Sequence, residues 1–169
     1  MDRTVMRIFR IVLILVAALG LAACSSKFKT YDGPAVTQLQ VYKGARELFL
    51  MHDNTVLKSY KIELGNQPVG PKRFEGDGRT PEGLYYINRR NPNSAYHLSI
   101  GISYPNVHDV QVAKAAGLPP GGDIFIHGED PRRGRTSQDW TAGCIAVSDK
   151  DIEDIYAMVR DGTPIFIMP

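Results

Sequence analysis

Cys144 and His127 are the residues of this 169-residue chain whose types and spacing admit covalent chemistry. A thiol with an unperturbed pKa of about 8.5 is a weak nucleophile near neutral pH until a neighbouring imidazole takes its proton or stabilises the thiolate. His127 closes the apolar run Ile124-Phe125-Ile126, and Cys144 opens another, Cys144-Ile145-Ala146-Val147. If these runs are neighbouring strands joined through the 129–140 loop, thiol and imidazole meet at one edge of a sheet, because the entropy of closing a loop grows only slowly with its length. Gly143 has no Cβ, so a substrate carbonyl can come close to the backbone there while N–H groups near Cys144 hold a developing oxyanion. Gly128 similarly leaves space beside His127, and Thr141 offers a hydroxyl or carbonyl to orient the imidazole.

Residue types alone leave plainer readings open. A lone buried Cys commonly serves as a small hydrophobe, and a lone His as a satisfied polar group. Zinc is disfavoured, because Cys144 and His127 lack the further Cys or His at ligand spacing that a closed site needs. No metal or cofactor is therefore expected.

The other cysteine is Cys24. Residues 1–23 read as an export signal: Arg3, Arg7 and Arg10 precede an apolar run, Ile11 to Leu21, too short for the roughly 20 residues that cross a bilayer. Leu21-Ala22-Ala23-Cys24 resembles the bacterial lipobox, which implies lipidation of Cys24 and a membrane anchor. Ser25 at the next position implies the outer membrane, with the domain facing the periplasm. An ordinary secretory signal cut at a small-x-small site is the plainer alternative. Either way Cys144 is a lone thiol in a compartment that oxidises thiols, a liability unless the thiol is used. Of 20 Lys and Arg, three lie in residues 1–23, and of 18 Asp and Glu one does, leaving 17 of each. A neutral remainder gives nucleic-acid binding no electrostatic support.

The elements that must position the pair follow from hydrophobic period. Residues 24–36, with Gly33-Pro34, read as a tether, and 37–169 as one domain. Strands are expected at Thr37–Tyr42, Arg46–Met51, Val56–Leu64, Leu84–Asn88 and Tyr96–Ser103, with a long loop over Gly65–Gly83. Two more flank the catalytic loop at 124–126 and 144–147, and Thr163–Met168 closes the sheet. Val110, Ala113 and Lys114 suggest a short helix ending at Gly117. Ser148-Asp149-Lys150-Asp151 looks like a capping box for a second helix, whose apolar face is Ile152, Ile155, Tyr156 and Val159 and whose cap is Gly162. The sum is a mostly β fold, a curved sheet or barrel-like β-sandwich with two short helices.

His127-Gly128 followed by Thr141-Ala142-Gly143-Cys144-Ile145 resembles the signature of the L,D-transpeptidase (YkuD-type) catalytic domain. Upstream, Gly78-Arg79-Thr80-Pro81-Glu82-Gly83 and Tyr85 match that family's Thr-Pro-x-Gly stretch, and the resemblance covers roughly residues 37–168. It implies a Cys144 nucleophile, a His127 base, Thr141 and Gly143 as the orienting and oxyanion neighbourhood, and peptidoglycan stem peptides as substrate. Ala142 and Ala146 depart from the family pattern, which often has His at the first position and Arg or Asn at the second. The Cys-Ile-Ala-Val form, with Asp139-Trp140-Thr141 and Ile102 to Asn106, looks like the YafK-type branch. That branch includes a murein amidase that releases a wall-bound lipoprotein.

Other polar residues divide between site and surface. His97 either lines the site or sits on the outer strand face. Arg132, Arg133 and Arg135 crowd the loop between Cys144 and His127, where a guanidinium fork can bind a diaminopimelate carboxylate. Arg135 is the best placed of them, against a solvated loop balanced by Glu129, Asp130 and Asp139. Three readings remain: acyl transfer through an acyl-enzyme, hydrolysis of a similar bond, and a non-catalytic wall-binding lipoprotein.

Overall fold

The structure, a computed structural model, describes residues 26–132 and 138–169. Cys24, Arg133 and Arg135 lie outside these residues. The strands are β1 (Gln38–Tyr42), β2 (Glu47–His52), β3 (Thr55–Lys61), β4 (Gly83–Asn91), β5 (Ser99–Ile102), β6 (Phe125–His127), β7 (Ile145–Ala146) and β8 (Pro164–Met168). The helices are α1 (Val107–Ala115) and α2 (Asp149–Met158).

Alternating burial drives the first strands together. Leu39 and Val41 of β1 and Leu48 and Leu50 of β2 point to one face and are fully buried, as the period of two requires. Asp53, with φ +51°, supplies the left-handed turn between β2 and β3, a conformation Asp tolerates better than most residues. The strands form one sheet in the order β3-β2-β1-β8-β4-β5-β6-β7. β1 runs parallel to β8, and β6 parallel to β7.

The expected strand from Val56 to Leu64 stops at Lys61, because the chain there leaves β2 for the far end of the sheet. Glu63 bridges Ala146 of β7, each N–H reaching the other's carbonyl at 2.9 and 2.8 Å. Since β3 and β7 are opposite ends of the strand order, this bridge curls the sheet toward closure. The result is the mostly β, curved architecture with two helices that the pattern predicts. Ile152 and Ile155 of α2 are fully buried where that helix covers β5 and β6.

Several local expectations shift. The fifth strand begins at Ser99 rather than Tyr96, because His97 adopts φ +67° and breaks the extended run. Both sides of a capping box form at Asn106 and Asp109 of α1. At α2 the Ser148 side chain accepts from the Asp151 N–H, the forward half of the expected box. That helix ends at Val159 in extended geometry, so Gly162 serves the following turn, where its N–H reaches the Ile87 carbonyl at 2.7 Å.

The expected tether is docked over its described part. Lys29 ion-pairs with Glu153 and Asp154 at 3.2 and 2.8 Å, Phe28 lies against Tyr156, and Tyr31 packs on the core. Among the described residues no helix is long and apolar enough to cross a membrane. The 65–83 loop is pinned by buried cations. Lys43 Nζ bonds Glu82 at 2.7 Å and the carbonyls of Gly70 and Thr80. Lys72 pairs with Asp77 at 2.9 Å, both side chains almost fully buried.

Candidate active site

β6 and β7 are short, adjacent and parallel, and they bring the two sequence motifs together. His127 pairs in register with Ala146. Side chains alternate along a strand, so Cys144, two residues before Ala146, shares the face of His127. The crossover between parallel strands needs a dozen or more residues, which the 128–144 segment supplies.

His127 is 3 % exposed. Its Nδ1 lies 2.7 Å from the Gly128 carbonyl. A carbonyl only accepts, so Nδ1 carries the proton and Nε2 keeps a lone pair free to act as a base. Tyr96 stacks on the imidazole with centroids 4.4 Å apart, and Trp140 meets it edge-on at 5.6 Å. Trp140 therefore joins the site as a wall. Tyr96 is a residue the sequence gives no signal for, since its partner lies 31 positions away.

Cys144 is half-buried. Its Sγ accepts from the Phe125 N–H at 3.4 Å and donates to the Asp123 carbonyl at 3.5 Å. The imidazole is not among the sulfur's hydrogen-bond partners, so the thiol proton rests on Asp123 rather than on His127. Burial pushes the Cys144 thiol up from its ordinary range and pulls the His127 imidazole down, the latter only partly offset by the Gly128 carbonyl and Asp130. Both shifts favour a neutral thiol beside a neutral imidazole, in contrast to the thiolate–imidazolium pair that activates many cysteines.

Thr141 stitches the turn that leads into Cys144. Its hydroxyl donates to the Cys144 carbonyl at 2.7 Å and accepts from the Gly143 N–H at 3.1 Å. Its carbonyl accepts from the Asn66 N–H. Thr141 thus fixes the loop that presents the sulfur, and the expected role of orienting His127 falls to Gly128. The Gly143 N–H is already bonded, whereas no acceptor among the described residues takes the Cys144 N–H. That leaves the Cys144 N–H as the donor free for an oxyanion.

The two glycines are needed for packing. Gly143 has φ +133°, and a Cβ there would sit 2.6 Å from the Arg79 carbonyl. A Cβ on Gly128 would meet Asp149 at 2.4 Å and the Tyr96 carbonyl at 2.8 Å. The space expected beside these residues for substrate is occupied by the protein itself. Arg46 and Asp139 hold the approach to the loop, with Arg46 Nη2 at 2.6 Å from the carboxylate, which also accepts from the Leu64 N–H.

His97 turns from the site. Its Nε2 contacts Glu153 of α2 at 2.9 Å. Arg132 is exposed and bonded to Asp130 at 3.2 Å. Neither is positioned by the structure for a reacting group.

The buried pair makes stability depend on pH with a definite sign. His127, depressed below its ordinary 6.5, contributes stability present above pH 6.5 and lost as pH falls through its folded value. Cys144, raised above 9.0, contributes stability present below pH 9 and lost as pH rises through its folded value. Melting temperature should therefore peak between these limits. His127→Phe should flatten the acid side, and Cys144→Ala the alkaline side. Identical curves for wild type and both variants would remove the pair from the pH dependence.

A family model described as YkuD, L,D-transpeptidase catalytic domain, matches residues 37–167. YafK of Escherichia coli K12, assigned provisionally as an L,D-transpeptidase, is 31% identical over 151 residues, covering 86% of this chain and 55% of that protein. The chain thus spans about half the length of the curated relatives it matches. The crystal structure of the helical cell shape determining protein Pgp2 from Campylobacter jejuni is similar with a TM-score of 0.61 and 29% identity, over 82% of this chain and 48% of that one. An L,D-transpeptidase from Mycobacterium smegmatis shares the fold at 17% identity, with a TM-score of 0.54 over 80% of this chain and 59% of that one.

Proposed function

The chain belongs to the L,D-transpeptidase catalytic-domain family, and from that premise we propose that it is a peptidoglycan transpeptidase working through an acyl-enzyme on Cys144. The observation that carries the reading is the half-buried thiol on the same sheet face as a buried imidazole whose Nδ1 is tied to a backbone carbonyl. Family membership supports a peptidoglycan-modifying enzyme. The name of Pgp2, a determinant of cell shape, supports wall remodelling as the process.

The proposed sequence begins with a stem peptide turning the sulfur away from Asp123. His127 Nε2 takes the thiol proton as Sγ attacks the carbonyl of the amide that follows the L-centre of diaminopimelate. The Cys144 N–H holds the oxyanion. Collapse expels the amine of the next residue, which takes the proton back from the imidazolium and leaves a thioester. An amine from another stem, a lipoprotein or a D-amino acid then attacks the thioester and frees the thiol. Water in that role gives hydrolysis instead.

Defined muropeptides incubated with the protein and analysed by mass spectrometry test the reading. Exchanged or cross-linked products are expected. Products shorter by the terminal residue, without exchange, would establish the hydrolase, and unchanged substrate would leave the wall-binding lipoprotein.

The anchor is a further part of the proposal: Cys24 carries lipid and the domain faces the periplasm. Cys24→Ala should move the protein from the membrane to the soluble fraction and leave turnover of soluble muropeptides unchanged, because the lipid only localises the domain. Retention of the variant on membranes would rule out that anchor.

A further inference from the structure

Beside the catalytic loop, a cavity of about 360 Å³ is lined by Gln67, Arg73, Phe74, Asp77 and Arg79. Arg79, one of its lining residues, also adjoins the segment of Cys144, its carbonyl oxygen lying 2.6 Å from where a Cβ on Gly143 would be. Its charges are unequal. Asp77 is spent: it accepts from Lys72 Nζ and from the N–H groups of Arg73, Phe74 and Arg79 at 2.7 to 3.3 Å. Neither the Arg73 nor the Arg79 guanidinium has a hydrogen-bond or ion-pair partner among the described residues. With Lys72 neutralised by Asp77, the cavity lining holds two arginines whose guanidinium groups have no partner among the described residues, together with Phe74.

A guanidinium left without a partner in a concave site is suited to a carboxylate, which it can hold with two parallel hydrogen bonds. The volume falls within the range of small-ligand sites. We infer that this cavity is a subsite for a carboxylate-bearing peptide, in which Arg73 and Arg79 bind the carboxylate and Phe74 packs on the adjoining aliphatic chain. The inference rests on the proposed peptidoglycan substrate, whose stem peptide carries several carboxylates. It places an anion-binding site in the loop preceding β4, separate from the one expected at Arg135, which lies outside the described residues.

The ordered neighbours make the two arginines separable from folding. The loop is held by Lys43 with Glu82 and by Lys72 with Asp77, not by either guanidinium. Arg73 is exposed and Arg79 half-buried against Gly70. Their neutral replacements should fold with the wild-type melting temperature.

The test is calorimetric binding of a diaminopimelate-containing tetrapeptide to the full chain carrying Cys144→Ala, so that binding is read without turnover. Arg73→Gln and Arg79→Gln in that background should each weaken binding about tenfold, the usual order for losing one charge-assisted contact. Arg132→Gln should change nothing. A peptide with all carboxylates amidated should bind weakly and equally to every variant, and singly amidated peptides identify which carboxylate the cavity takes. Equal losses for acid and amide peptides, equal losses for Arg132→Gln, or no loss for either cavity variant would overturn the subsite. If the arginine dependence holds while the wild-type protein changes no bond in muropeptides, the proposed function fails and the subsite stands. If bonds are changed and the variants bind as the parent does, the reverse is true.

Discussion

Cys144→Ala should abolish product formation from muropeptides, with a rate at least about 10³-fold below wild type, while the domain stays folded. The magnitude follows from losing the atom that forms the covalent intermediate in the proposed mechanism, a loss other groups cannot replace. The structural cost is small by comparison. The sulfur is half-buried, and its removal strands the Phe125 N–H and the Asp123 carbonyl near the surface, at about 1 kcal/mol. Intact-mass spectrometry separates loss of chemistry from loss of binding. A carbapenem presents a strained amide carbonyl to a nucleophile, so wild type should gain the mass of one drug molecule and Cys144→Ala none. Turnover or an adduct on the alanine variant would place the nucleophile elsewhere.

Much of this site can be read from sequence because its parts are local. Ile124-Phe125-Ile126 and Cys144 to Val147 are short apolar runs, and a cysteine at the head of one with a histidine at the end of the other narrows the chemistry. The strands carry their own period, and Gly117 marks the end of α1. What escapes the sequence is set by contacts between distant residues. Glu63 bridging Ala146 closes the sheet, yet nothing local distinguishes Ile62 to Leu64 from the strand before it. Tyr96 stacks on His127 only because His97 turns the chain through a left-handed conformation.

Roles are harder to read than members. Gly143 and Gly128 adjoin Cys144 and His127 in the chain, but the backbone of Arg79 and the side chain of Asp149 fill the room their missing Cβ atoms leave. Thr141, three residues before Cys144, invites an orienting role through its hydroxyl, and that hydroxyl is consumed inside its own loop. Arg73 and Arg79 look like any charged loop residues until the fold shows which carboxylates are already taken. Cations acquire meaning from their partners, and partners are a tertiary fact.

His127→Ala should lower turnover at pH 7 by about 10² to 10⁴, the range spanned by general acid–base contributions. The pH profile is the stronger diagnostic. The proposed mechanism needs a neutral imidazole, and burial pulls His127 below its ordinary 6.5, so the acid limb of kcat/KM should lie below that value. Burial raises Cys144, so without a base the thiolate supply at neutral pH is small. Residual activity of the alanine variant should then lose the acid limb and climb about tenfold per pH unit toward the raised thiol value, as thiolate replaces the missing base. Removing the ring leaves a slot bordered by the face of Tyr96 and, at an angle to it, by Trp140. Added imidazole should enter that slot and restore part of the neutral-pH rate. Trp140 is the single tryptophan of the chain and lies 5.6 Å from the imidazole. Its fluorescence should report His127 protonation as a transition below pH 6.5 in Cys144→Ala and none in the variant that also carries His127→Ala. If His127→Ala kept the wild-type rate and acid limb, the proton would have to leave the thiol by another route, and the neutral-pair mechanism would be abandoned.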